Sequence, residues 1–277
     1  MERLDKTVAN CGNMTRRDAV RLIRAGQVRV DDVPWRDPAQ KLDPAVHVVT
    51  AAGRPIDCRA HRYLLLNKPQ GILCVSRDPH AETVIDLLPP EERRRGLFPA
   101  GRLDKDTVGL VLLTDDGDFA HRVLAPKKAV FKHYRAVVEG VMPHEAIAAF
   151  AEGLPLPDDA RCLPAVLRLL APAAFAEGEG VTETDDLTLT HFFRDFSAKY
   201  RIPAERPISF VDIAIQEGRY HQIKRMCEVV GHKVLWLKRI SIGGLCLPRA
   251  LPEGAFRELT ADEAAAVFEP VEGVCAK

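Results

Sequence analysis

The chain has 277 residues, 47% hydrophobic and 28% charged, with 39 basic and 39 acidic side chains and no formal net charge. That length suits one large domain, or a large and a small one, around a sizeable core. No signal-peptide pattern opens the chain and no apolar run approaches the roughly 20 residues that span a bilayer, so no membrane association and a cytoplasmic location are expected. The seven cysteines form no CxxC pair, which points to free thiols rather than a zinc site or a disulfide framework.

The first 57 residues read as a small module. Thr15-Arg16-Arg17-Asp18 has capping-box spacing and predicts a helix start. In the helix that follows, Ala19, Val20, Leu22 and Ile23 form an apolar side and Arg16, Arg17, Arg21 and Arg24 a basic one. Gly26 is placed to end it. A strand is expected at Gln27–Val30, a turn at Asp31-Asp32 and a second strand at Val46–Val49. Such a helix is either a phosphate-reading surface or a plain solvated face.

Residues 58–62 form a short polar linker, and a second domain is expected over 63–277. Tyr63-Leu64-Leu65-Leu66 is a buried-strand signal stopped by Asn67-Lys68-Pro69-Gln70-Gly71. Gly101-Arg102-Leu103-Asp104-Lys105-Asp106-Thr107-Val108-Gly109-Leu110 then reads as a loop feeding a buried strand, with Asp104 at its mouth. Phe131–Val138 alternates like a strand and carries Tyr134 among basic neighbours. Residues 171–207 read as an acidic insertion, with Glu177–Asp186 as a surface excursion and His191–Phe196 packing back on the body. In Glu217-Gly218-Arg219-Tyr220-His221-Gln222-Ile223-Lys224-Arg225-Met226 a glycine turn leads into a basic helix.

The bases are segregated. Arg122, Lys127, Lys128, Lys132 and Arg135 lie within 121–135 without an acid, and a second basic stretch covers 216–240. A neutral protein of this kind can present a positive face to phosphates. Asp104, Asp106, Asp115, Asp116 and Asp118 could be imagined as a magnesium site. However, Asp115-Asp116-Gly117 is ordinary turn chemistry and the histidines show no ligand spacing, so no metal is expected.

The Asp104 decapeptide closely resembles the catalytic loop of pseudouridine synthases. LNKPQG, DPHAETV and EGRYHQIKRM are similar to the branch acting on one uridine of 16S ribosomal RNA, and residues 3–57 resemble the S4 RNA-binding domain. The resemblance covers residues 2–268. It implies that Asp104 is the catalytic carboxylate, that Tyr134 stacks on the target base and assists proton transfer at C5, and that Lys224 is the cation paired with Asp104. It further implies that Arg102 fills the space of a flipped base. Arg16, Arg17, Arg21, Arg24, Lys68, Arg219, His221, Gln222 and Arg225 are expected to face RNA, with His221 also orienting the loop. No cofactor is implied, because the uracil is detached, turned and rejoined through C5 without redox change.

The expected fold is α+β, with an S4-like module before a catalytic domain built on a mixed, mainly antiparallel sheet with flanking helices. The expected partner of this monomer is ribosomal RNA, free or in a small-subunit assembly intermediate. A synthase for 23S ribosomal RNA or transfer RNA, or a non-catalytic RNA-binding assembly protein, would share much of this pattern.

Overall fold

The computed structural model describes residues 1–44, 46–56, 58, 61–125, 129–157, 161–173 and 207–270. Two compact units result. Met1–Lys105, Val111–Val123 and Arg249–Ala264 form the first; Asp106–Leu110, Leu124–Pro248 and Ala265–Lys277 form the second.

The N-terminal module lies in the first unit and has a core of its own. Helices α1 (Leu4–Cys11) and α2 (Arg16–Arg24) pack on each other and share a buried core with a four-stranded sheet. Its order is β3-β2-β5-β6, with β2 at Val28–Val30, β3 at Val33–Pro34, β5 at Val49–Ala51 and β6 at Arg54–Ile56. Leu4, Val8, Ala19, Ile23, Val28, Leu42 and Val49 are buried together. The α2 cap is as expected: the Thr15 hydroxyl accepts from the Asp18 amide at 3.1 Å. Gly26 follows the last turn with φ +72, a left-handed exit natural to glycine.

One expectation shifts. The strand expected at Val46–Val49 starts only at Val49, and Val46 and Val48 are exposed. The nearer partner of β2 is β3, reached through Asp31 and Asp32 at φ +48 and +65. Two left-handed residues form a tight hairpin turn, which the Asp-Asp pair permits.

The rest of the first unit centres on β7 (Tyr63–Lys68), with β15 (Phe256–Glu258) antiparallel to it. β8 (Phe98–Pro99) pairs with β9 (Val108–Thr114), all seven residues of which are buried. The acids of the following turn are taken up structurally. Asp116 accepts from the Tyr63 hydroxyl at 2.6 Å and from the Phe119 amide at 2.9 Å, starting helix α3 (Gly117–Leu124). Asp115 pairs with Arg94 at 3.1 Å.

In the second unit, β11 (Val166–Ala173), β12 (Ile208–Ile215), β10 (Lys132–Glu139) and β13 (Val234–Ile242) follow one another across the sheet, each antiparallel to its neighbour. The first residues of β9 run parallel to β13, pairing Val108 with Lys238 and Gly109 with Arg239. The sheet is therefore mixed and mainly antiparallel, as expected. Helix α4 (Glu145–Glu152) packs on β11, and α5 (Gln222–Val229) packs on β13.

Ala171, Pro172 and Ala173, the first residues of the expected insertion, belong to β11 and pair with Phe210, Ser209 and Ile208. The expectations for Glu177–Asp186 and His191–Phe196 lie outside the described residues. The basic stretch 121–135 is not one solvated face. Lys132 is buried, and Arg135 lies opposite Asp212 on β12 in a bidentate pair of 2.9 and 3.0 Å. Lys127 and Lys128 also fall outside the described residues. Cys11, Cys58, Cys74, Cys162 and Cys227 form no disulfide, whereas Cys246 is disulfide-bonded, against the expectation of thiols throughout. Among the described residues no helix is long and apolar enough to cross a membrane.

Candidate active site

The loop that carries Asp104 is fixed from both ends. At its start the Ala100 amide donates to Leu112 of β9 at 2.8 Å, and Gly101 takes φ +102. Leu103 is buried, Asp104 half-buried, and Arg102 and Lys105 exposed. Apolar anchorage beside a part-exposed carboxylate is what a reacting acid needs.

The Lys68–Gly71 turn holds the other end. The Lys105 carbonyl accepts from the Gly71 amide at 2.8 Å and from the Lys68 ammonium at 3.2 Å, and Lys68 also donates to Pro69 at 3.1 Å. Lys68 is 0% exposed. Expected to face RNA, it is held here as an internal strut, with main-chain oxygens of Pro69 and Lys105 among its acceptors. A buried ammonium needs such acceptors.

In the second unit, Lys224 sits in the first turn of α5 and donates to both carboxylate oxygens of Asp106, at 2.7 and 2.8 Å. Burial pushes the Asp106 carboxyl up. The Lys224 hydrogen bond and charge, with help from the His221 charge, outweigh this and hold it below the ordinary carboxylate range. The resemblance pairs this cation with Asp104; within the second unit it also has a carboxylate partner in Asp106, two residues later in the same loop.

Tyr134 lies on β10 and is 7% exposed. Its hydroxyl accepts from Arg239 of β13 at 3.4 Å, and the guanidinium carbon lies 5.9 Å from the ring centroid. Arg239 is 3% exposed and also donates to Leu110 of β9 at 2.7 Å. It thus ties Tyr134 to the strand that follows the loop. Burial, and then the Arg239 charge, lower the neighbouring Lys132 ammonium to about 8. Gly109 explains itself here: its φ is +100, and a Cβ would run into the main chain of Arg239.

The turn before α5 is a network. Glu217 is buried and accepts from the Leu163 amide at 2.9 Å, the Gln222 side chain at 3.0 Å and Arg219 at 3.1 Å. Gln222 also accepts from the Arg219 amide at 3.0 Å. Gln222, expected to face RNA, is a buried brace whose side-chain amide bonds inside the turn. Arg219 and Arg225 are partly exposed, with Arg225 donating to the Pro157 carbonyl. His221 caps α5 in left-handed conformation and stacks on Tyr220. On α2, Arg16, Arg17, Arg21 and Arg24 are all exposed; Arg16 reaches Asp5 at 3.1 Å and Arg21 reaches Asp18 at 3.2 Å.

Sequence reasoning missed Asp106 as a partner of Lys224, and it read Arg239 only as one of the bases of the stretch 216–240. The available signal for Arg239 was its place beside Lys238 within the strand Val234–Ile242.

Comparison with known families settles what this equipment belongs to. The RNA pseudouridylate synthase family matches residues 62–229, and the S4 domain matches residues 2–48. The chain belongs to the RNA pseudouridylate synthase family. Its matched span contains Lys68, Asp104, Tyr134 and Lys224. This pseudouridine synthase is 38% identical over 268 residues to an uncharacterized RNA pseudouridine synthase of Bacillus subtilis, covering 97% of this chain and 99% of the relative. It is 36% identical to ribosomal small subunit pseudouridine synthase A of Escherichia coli, with 96% and 99% covered. The protein of that name in Vibrio cholerae is 34% identical, with 96% and 100% covered. A solved pseudouridylate synthase structure covers 96% of this chain and 100% of its own at 30% identity, with a TM-score of 0.59. The synthase is thus an isomerase acting on RNA.

Proposed function

We propose that this synthase converts one uridine of 16S ribosomal RNA to pseudouridine, with Asp104 as the catalytic carboxylate. The observation that carries the substrate is near-full-length similarity to relatives named for the ribosomal small subunit. Support for the chemistry comes from the loop: a part-exposed acid, braced by Lys68, beside an exposed arginine.

The reaction is an internal exchange. The N1–C1′ bond breaks, the uracil turns, C5 bonds to C1′, and the proton lost from C5 is balanced by one gained at N1. Asp104 acts on the ribose, as nucleophile or as base. The target base leaves its stack to reach it. Arg102 occupies the gap, where a planar cation can also hold phosphate. Tyr134, held by Arg239, stacks on the uracil. Lys224 supplies positive charge to the loop through Asp106, and the exposed arginines of α2 grip phosphates, with the ribosomal RNA bound by a monomer.

Pseudouridine mapping of 16S and 23S RNA, in cells with and without the gene, tests this reading. Loss of one 16S site, restored by wild type and not by Asp104→Asn, is expected. Loss of a 23S site instead overturns the substrate, and no lost site in either RNA overturns ribosomal RNA as the target. Repeating the conversion on free 16S RNA and on assembly intermediates identifies the form used.

A further inference from the structure

Tyr220 is 71% exposed, whereas Tyr134 is 7% exposed. Single exposed aromatics are common and carry no argument by themselves. This one is held in a set orientation. Its ring lies flat on the His221 imidazole, with centroids 3.9 Å apart and planes 14° apart. His221 in turn adopts φ +49. A left-handed non-glycine residue costs free energy, and such residues concentrate at ligand clamps. The local backbone thus accepts strain while presenting one open aromatic face.

The surroundings are cationic. Arg219 precedes the pair, and Lys224 and Arg225 follow it on the first turn of α5. A flat, sequence-tolerant aromatic face flanked by cations is how proteins take up unpaired bases of single-stranded RNA. Lys224 contacts Asp106, which follows Asp104 by two residues in the chain. RNA that reaches the loop at Asp106 therefore has nucleotides to accommodate beside this turn.

We propose that Tyr220, backed by His221, is a stacking platform for an unpaired RNA base flanking the target uridine. This rests on the 16S reading above and adds a base-binding subsite to it. Tyr134 keeps the reacting base, and Tyr220 takes a neighbour.

The test uses the full-length protein and a 16S RNA fragment spanning the mapped uridine. Tyr220→Ala is expected to raise the half-saturating RNA concentration by about 5- to 100-fold, the range for losing one base–aromatic stack, and to affect the saturated rate less. Tyr220→Phe and Tyr220→Trp should restore binding, while Tyr220→Leu should not. The salt dependence of binding should keep its slope, because no phosphate contact is removed. The melting temperature should hold, since the ring is exposed. Binding by Tyr220→Ala within twofold of wild type, full rescue by Tyr220→Leu, or a shallower salt slope would each overturn the platform while leaving the 16S reading intact. A wild type that forms no pseudouridine in ribosomal RNA overturns both.

Discussion

Gly109→Ala tests how the Asp104 loop is joined to the sheet. At φ +100 an L-residue costs about 1–2 kcal/mol more than glycine, partly offset by about 0.4–1 kcal/mol from a stiffer unfolded chain. Gly231 has φ +86 and open space around it, so Gly231→Ala is expected to show only that difference, at most about 1.6 kcal/mol. Gly109 adds a collision. Its Cβ would meet the Arg239 carbonyl, with the Arg239 nitrogen and Lys238 Cγ both at 2.9 Å. Two of these atoms are main chain, so β9 and β13 must separate where Val108 and Gly109 pair with Lys238 and Arg239. Overpacking of this kind adds about 1–3 kcal/mol, and local loss of pairing adds more. We expect Gly109→Ala to lose about 3–5 kcal/mol. At an unfolding entropy of about 2.1 cal/mol/K per residue, that lowers the melting temperature of this chain by about 5–9 °C. Pseudouridine formation should fall with it, because the same strand seats the Asp104 loop and the Arg239 contact to Leu110. Paired thermal unfolding and single-turnover assays of the two variants decide. A Gly109→Ala protein as stable and active as Gly231→Ala would refute the reasoning.

Gln222→Ala should cost about 1–3 kcal/mol by leaving Glu217 short of a donor, with little change in RNA affinity once folded; calorimetry and filter binding separate this from a direct RNA contact. Lys224→Met should slow the saturated rate by about 10²-fold, the scale for losing one electrostatic group at a reacting centre, and isothermal binding should show a smaller change. Two Arg257 hydrogen bonds hold the Glu263 carboxyl at about 2, against an ordinary 4.5. Because the folded value is the lower one, the pair's contribution is fully present above pH 4.5 and fades as pH falls toward 2. Both side chains are about one-third exposed, so the screened contribution is about 1 kcal/mol, and Glu263→Gln should flatten the unfolding profile across that window.

Much of this was legible because it rests on residue type and spacing. A buried strand after a polar loop exposes the residue at its mouth, so GRLDKDTVGL located Asp104, and alternation located Tyr134 on β10. Capping chemistry located α2. Burial of polar side chains was not legible. Lys68 and Gln222 look like surface residues until main-chain carbonyls and Glu217 are seen to satisfy them. The Asp106 contact of Lys224 was missed because only backbone geometry brings that carboxylate of the loop within reach of the ammonium. The buried place of Arg239 was hidden, since its anchors, Leu110 and Tyr134, are remote in sequence. The hairpin at Asp31-Asp32 was read as a turn, but its two-residue return strand was too short to announce itself.

The most direct measurement of the central claim is single-turnover conversion of 16S RNA by purified wild type and Asp104→Asn, with RNA affinity measured on the same samples. The account predicts pseudouridine from wild type, none from Asp104→Asn, and affinities within a few-fold of each other. Product formation by Asp104→Asn at the wild-type rate would contradict it.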